Sequence, residues 1–86
     1  MSLLEKLHKG KQLRALADHS ARASLCLKWS EESRDGWYER RAEWVAAGHT
    51  PESWGNEFKA KDLAGLEQMY SRWAVMYATL YGAGIQ

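Results

Sequence analysis

The stretch DLAGLEQMYSRWAVMYATLY, running from Asp62 to Tyr81, decides the fold class. Leu63, Leu66, Tyr70, Trp73, Tyr77 and Leu80 recur at intervals of three or four residues. That spacing gathers them on one stripe of an α-helix, whereas a strand would scatter them over both faces. Met69, Met76 and Tyr81 widen the stripe, and Glu67, Gln68, Ser71, Arg72 and Thr79 fall on the solvent side. Asp62 is placed to cap the start of this helix and Gly82 to end it, which leaves residues 82–86 as a loose tail.

The same period extends upstream. Leu13, Leu16, Ser20, Ala23 and Leu27 follow 3-4 spacing from Lys11 onward, with Leu25, Cys26 and Trp29 on the other side of the same helix. This second long helix is expected to reach about Glu32 and to fray into a turn at Gly36. The core is expected to take in Leu16, Leu27, Trp29, Leu66, Trp73 and Tyr77. A third helix is expected from Trp37 to Ala47, with Gly48 as its left-handed terminator. Thr50-Pro51-Glu52 opens a short helix, because proline fits the first helical position and a threonine can cap it. Trp54 and Phe58 should supply the apolar contacts of that turn. Ser2-Leu3-Leu4-Glu5 has capping-box spacing and starts another short helix, which Gly10 either interrupts or passes through at a cost of about 1 kcal/mol. The expected fold is all-α, a small compact bundle of three main helices plus one or two short ones. Residues 1–86 are read as a single domain.

Composition narrows the possibilities. With 45% apolar and 27% charged residues, the chain can build a core and is not of the disordered class. Five tryptophans and four tyrosines are many for 86 residues. Each large aromatic buries about 150–250 Å², which offsets the thin core of a short chain. Net charge is +1, unevenly spread. Residues 1–29 carry Lys6, Lys9, Lys11, Arg14, Arg22 and Lys28 against Glu5 and Asp18, a balance of +4, while residues 30–67 balance at −4. The lone Cys26 lies in the apolar run Leu25-Cys26-Leu27, as a small buried hydrophobe would. No signal-peptide pattern and no run of ~18–20 apolar residues occurs, so a cytoplasmic location and no membrane partner are expected.

Reactive chemistry finds little support. His8, His19 and His49 share no helical i,i+4 pairing with another ligand, and there is no paired-cysteine motif, so neither a metal nor a cofactor is expected. Glu31, Glu32 and Asp35 read as a solvated acidic turn. There is no phosphate-binding glycine loop and no nucleophile elbow, so the chain is read as non-enzymatic.

Two surfaces remain. Trp37, Arg41 and Trp44 form one stripe, flanked by Tyr38 and Arg40, and these are the residue types that anchor protein interfaces. The competing reading packs both tryptophans into the core, with Arg41 lying over one of them. The basic arm Lys6, Lys9, Lys11 and Arg14 suits phosphates, although it shares its segment with Leu3, Leu4, Leu7, Leu13 and Leu16. The leading expectation is a small protein-binding module that inhibits or regulates a larger macromolecular complex, of the kind phages and mobile elements carry. The alternatives are a nucleic-acid-associated accessory protein and a homodimeric assembly factor.

Overall fold

The computed structural model describes residues 3–85. Three helices and one 3-10 turn follow in order: α1 (Leu3–Arg14), α2 (His19–Ala46), the 3-10 turn (Pro51–Asn56) and α3 (Phe58–Gly82). No strand occurs among the described residues. At about 1.5 Å per residue, the 28 residues of α2 and the 25 of α3 set the long dimension of the molecule, which measures 51 × 25 × 15 Å.

α2 and α3 form an antiparallel hairpin. His19 stacks on Tyr77 at one end, Trp29 meets Tyr70 in the middle, and Gly36 faces Leu63 further on. α1 runs back along the middle of that hairpin, antiparallel to α2. Its one buried residue, Leu13, joins Cys26, Trp29 and Tyr70 in the central core. Leu25, Leu66, Met69, Trp73, Ala74 and Tyr77 pack around these four. The hairpin end between Trp37 and Ala60 lies beyond α1 and holds a second aromatic group of its own.

Four expectations are corrected. First, the helix expected to run unbroken from Lys11 to about Glu32 is interrupted at Ala15–Asp18; of the two outcomes open at Gly10, the first helix passes through it and continues to Arg14. Two side chains make that break. Asp18 accepts a hydrogen bond from the Ala21 backbone N–H at 2.8 Å and caps α2. Arg22 closes the end of α1, its Nε donating to the Leu13 carbonyl at 2.9 Å and its Nη2 to the Leu16 carbonyl at 3.1 Å. The Leu13 carbonyl also accepts the Leu16 N–H at 3.2 Å, and the guanidinium supplies donors to both carbonyls where the helix can no longer do so.

Second, no turn forms at Gly36. α2 passes straight through it, so the expected second and third helices are one rod ending at Ala46. A Cβ at Gly36 would meet Leu63 at an ordinary 3.7 Å, so this glycine is simply a small residue against α3. Third, α3 begins at Phe58, one turn before Asp62, and its cap residue Glu57 makes no side-chain capping bond. Fourth, Leu27 is 51% exposed. The buried residues of α2 are Cys26, Trp29, Ser30 and Ser33, a stripe whose polar members are satisfied. Ser30 Oγ donates to the Glu67 carbonyl at 3.2 Å and lies 2.7 Å from Ser71 Oγ, while Ser33 Oγ donates to the Trp29 carbonyl at 2.9 Å. Of the other expected core residues Trp29 is buried, whereas Leu16, Leu66, Trp73 and Tyr77 are half-buried.

Both long helices end the same way. Gly48 and Gly84 take positive φ (100° and 73°), as expected at Gly48. After α2, Gly48 N–H donates to the Val45 carbonyl and His49 N–H to that of Trp44; after α3, Gly84 donates to Tyr81 and Ile85 to Leu80. This pair of bonds is the Schellman arrangement, in which a left-handed glycine lets the chain fold back on the last carbonyls. The segment after Gly82 is therefore tied to α3 as far as Ile85.

Candidate functional site

The hairpin end is built around Trp54, which the 3-10 turn carries inward until only 4% of it is exposed. Pro51 starts that turn, supplying the helical φ and needing no N–H partner. Trp37 and Trp44 reach Trp54 from α2, each with ring centroids 6.2 Å away. Seven residues apart, they lie two helical turns from one another on nearly the same line of α2. Trp44 is pinned further. Its Nε1–H donates to Ser53 Oγ at 2.8 Å, and Ser53 Oγ donates to the Thr50 carbonyl at 2.7 Å. The glycine turn at 48 then lays His49 flat over Trp44, rings 3.7 Å apart and 13° from parallel.

The five residues expected to anchor a partner do not share one surface. Trp37 and Trp44 are half-buried, each with one face on Trp54. Tyr38 is 60% exposed, edge-on to Trp37 at 4.9 Å, and with Arg34, Trp37, Ala64 and Glu67 it lines one groove between α2 and α3. Arg40 is exposed on a different depression of about 370 Å³, where it meets Glu43, Trp44, His49, Trp54 and Lys59. Arg41 is half-buried. Two residues apart on a helix means about 200° of rotation, so Tyr38 and Arg40 present themselves on opposite sides of the hairpin.

This end overturns one expectation and brings in residues that the sequence did not nominate as partner contacts. Phe58, expected to pack in the turn, is 82% exposed, the most exposed large apolar residue among those described. Lys59 and His49 acquire their positions only from the hairpin geometry, and no local pattern announces them. Among the described residues, Trp54 Nε1 is the one buried side-chain polar atom with no hydrogen-bond partner.

The basic arm is divided in its use. Lys6, Lys11 and Arg14 are exposed on α1. Lys9 is half-buried, its ammonium 4.1 Å from the centre of the Trp29 ring and 5.9 Å from that of Tyr70, so it roofs the central core through cation–π contact. Arg22, counted with this arm by charge, is committed to the end of α1 and lies 2.8 Å from His19 Nδ1.

Titratable groups in the central core are held neutral. Burial pushes the Cys26 thiol up to about 11, and the residue is fully buried, which makes it a poor nucleophile at neutral pH. Tyr70 is raised chiefly by burial, then by Glu5, Cys26 and Glu32. The three histidines are dispersed. His8 is exposed on α1, His19 sits between Arg22 and Tyr77, and His49 lies on Trp44. Among the described residues no group of three His, Cys, Asp or Glu could hold a metal ion, and no helix is long and apolar enough to cross a membrane.

Comparison with protein-family models, with curated proteins and with solved structures found no match to this chain.

Proposed function

We propose that this protein is a binding module for another protein, acting in the cytoplasm as an inhibitor or regulator of a larger complex. The observation that carries this reading is the exposed Phe58 beside a rigid aromatic end. An aromatic ring left 82% in water gains little from folding, yet it opens α3 directly after the turn whose Trp54 is packed against Trp37 and Trp44. Large rigid side chains of this type contribute most of the energy of protein interfaces, and a preorganised platform lowers the entropy lost on binding. Tyr38 and Arg40 extend the platform on its two sides. Regulation by occupancy is the natural mode, since no group in the hairpin end is arranged for bond chemistry.

The test begins with recovery of partners on the tagged full-length protein from its native cell, identified by mass spectrometry. Phe58→Ser and Tyr38→Ala should each weaken the recovered complex by about tenfold or more, with unchanged circular dichroism. The double variant Arg40→Ala with Arg41→Ala should lose roughly 2 kcal/mol of binding. Undiminished binding in all these variants, with loss on replacing Lys6, Lys11 and Arg14 and a steep dependence on salt, would transfer the working surface to α1 and favour nucleic acid.

A further inference from the structure

We infer that the depression between Arg40 and Lys59 is a receptor slot for an acidic side chain, so that the partner engages this end through a segment bearing glutamate. The inference rests on the protein-binding reading above and names the chemistry of what is bound.

Three features of the slot converge on a carboxylate. Its polar groups are mostly donors. Arg40 enters from α2 and Lys59 from α3, His49 stands on the turn between them, and Glu43 is the one acid in the lining. Among the described residues neither Arg40 nor Lys59 is engaged in an ion pair, so both cations are available. Two cations on separate elements can share one carboxylate through charge-assisted hydrogen bonds, which are stronger than neutral ones.

The second feature is independent of charge. Trp54 forms part of the same lining, is 4% exposed, and has an indole N–H with no acceptor. An indole nitrogen can only donate, and a buried donor without a partner is costly in an otherwise satisfied structure. Trp44 resolves the same need through Ser53 Oγ; Trp54 has no such neighbour. What it lacks is an oxygen acceptor; the nitrogen is shut off from solvent in this structure, so an incoming carboxylate supplies one by drawing the Trp54 ring toward the slot.

The third feature chooses between sources of that carboxylate. Trp44 and Trp54 give the slot aromatic walls, and the His49–Trp44 stack holds one of them rigid. A glutamate side chain carries two methylenes that lie against such walls while its carboxylate reaches the cations. A chain-terminal carboxylate is attached directly to the last Cα and has no such stem. An acidic side chain is therefore the better fit.

The experiment uses full-length protein with nitrogen-15 label, because the five indole N–H signals report each tryptophan separately. The probe is an acetylated, amidated pentaglutamate peptide. Its controls are the pentaglutamine counterpart and sodium acetate at equal carboxylate concentration. The expected result is a saturable downfield shift of the Trp54 indole proton with pentaglutamate. Pentaglutamine and acetate should bind at least about tenfold more weakly, the scale set by one lost charged hydrogen bond. The Arg40→Gln, Lys59→Gln double variant should lose a similar factor while its other indole signals stay in place. Trp54→Phe, which keeps the packing and deletes the donor, should weaken the peptide without unfolding the protein.

An unmoved Trp54 signal, an equal response to pentaglutamine, or undiminished affinity in the double variant overturns the slot. If the recovered partner still depends on Phe58 and Tyr38 while the peptide fails, only this inference falls. If the partner depends on neither, the protein-binding reading of this end falls with it.

Discussion

The central core and the hairpin end use the same residue types to different effect. Around Cys26, three helices converge: α1 lays Leu13 and the Lys9 ammonium over Trp29 and Tyr70, and the aromatic faces are shut away. At the hairpin end only two helices and a short turn are present. Trp54 is enclosed there, but Trp37 and Trp44 each keep part of their surface in water. A tryptophan buried by a third helix serves stability. One packed on a single side against another ring keeps its position and remains available to a partner. The number of elements overhead, and not the residue, separates the two roles.

The sharpest way to break this contrast is to delete one tryptophan from each region. Trp29→Ala should cost about 3–5 kcal/mol, the usual penalty for removing a large enclosed aromatic. That approaches the whole stability of a small domain, so the variant should melt far below wild type or fail to fold. Trp37→Ala, at a half-buried position of the hairpin end, should cost less in the same denaturant titration. An equal loss at both sites would mean that α1 adds nothing to the central core.

The lid itself is tested at Arg22. Replacing it with alanine strands the Leu16 carbonyl, leaves the Leu13 carbonyl with the Leu16 N–H alone, and removes the contact with His19. A loss of about 2 kcal/mol is expected, in the range of charged hydrogen bonds to buried or half-buried groups. Amide exchange should quicken in α1 and at the start of α2, while the Trp37–Trp54 end keeps its protection. Uniform quickening would show the two regions to be one cooperative unit.

Alkaline pH should touch the central core first. The Cys26 thiol is raised by burial from 9.0 to about 11, so the folded state holds its proton where the unfolded chain gives it up. Stability from this group is therefore complete below pH 9.0 and declines as pH rises from 9.0 to about 11. Tyr70 is shifted in the same direction. A Cys26→Ala variant should show a shallower fall in melting temperature over that interval, and parallel curves would refute the burial argument.

The smallest expected effect is at Trp44. Trp44→Phe removes the indole N–H that holds Ser53 and should cost about 1 kcal/mol, the net worth of one hydrogen bond. The loss should be confined to residues 47–57, seen as added backbone mobility there by nuclear relaxation.

The all-helical class and α3 were legible because Leu63 to Leu80 repeat one period without polar interruption. α2 was harder to read. Its inward stripe alternates Cys26 and Trp29 with Ser30 and Ser33, and hydroxyls satisfied by neighbouring carbonyls look polar in a sequence. Leu13, Leu16, Ser20, Ala23 and Leu27 offered a cleaner period, which carried the expected helix across a real break at Ala15–Asp18. The signal of that break was Asp18, an ordinary capping residue, and its other half was Arg22, a basic side chain nine residues from its acceptor. Gly10 and Gly36 invited breaks, yet the helix passes through both, at Gly36 against Leu63 of α3. At the hairpin end the tryptophans and Arg40 could be nominated by type alone. Which of them face one another depended on Trp54 arriving from a 3-10 turn, and long-range assembly of that sort leaves no periodic trace.

The sealed position of Cys26 also gives this molecule a built-in clock. The chain has one thiol, it is 0% exposed, and it sits where α1, α2 and α3 meet. A disulfide reagent can reach it only when those helices part, so the rate of labelling in excess reagent measures how often the core opens. The wild-type chain thus records its own opening without an engineered probe. A ligand at the hairpin end that slows this reaction would have to act along α2 and α3, the two unbroken rods that join that end to the core.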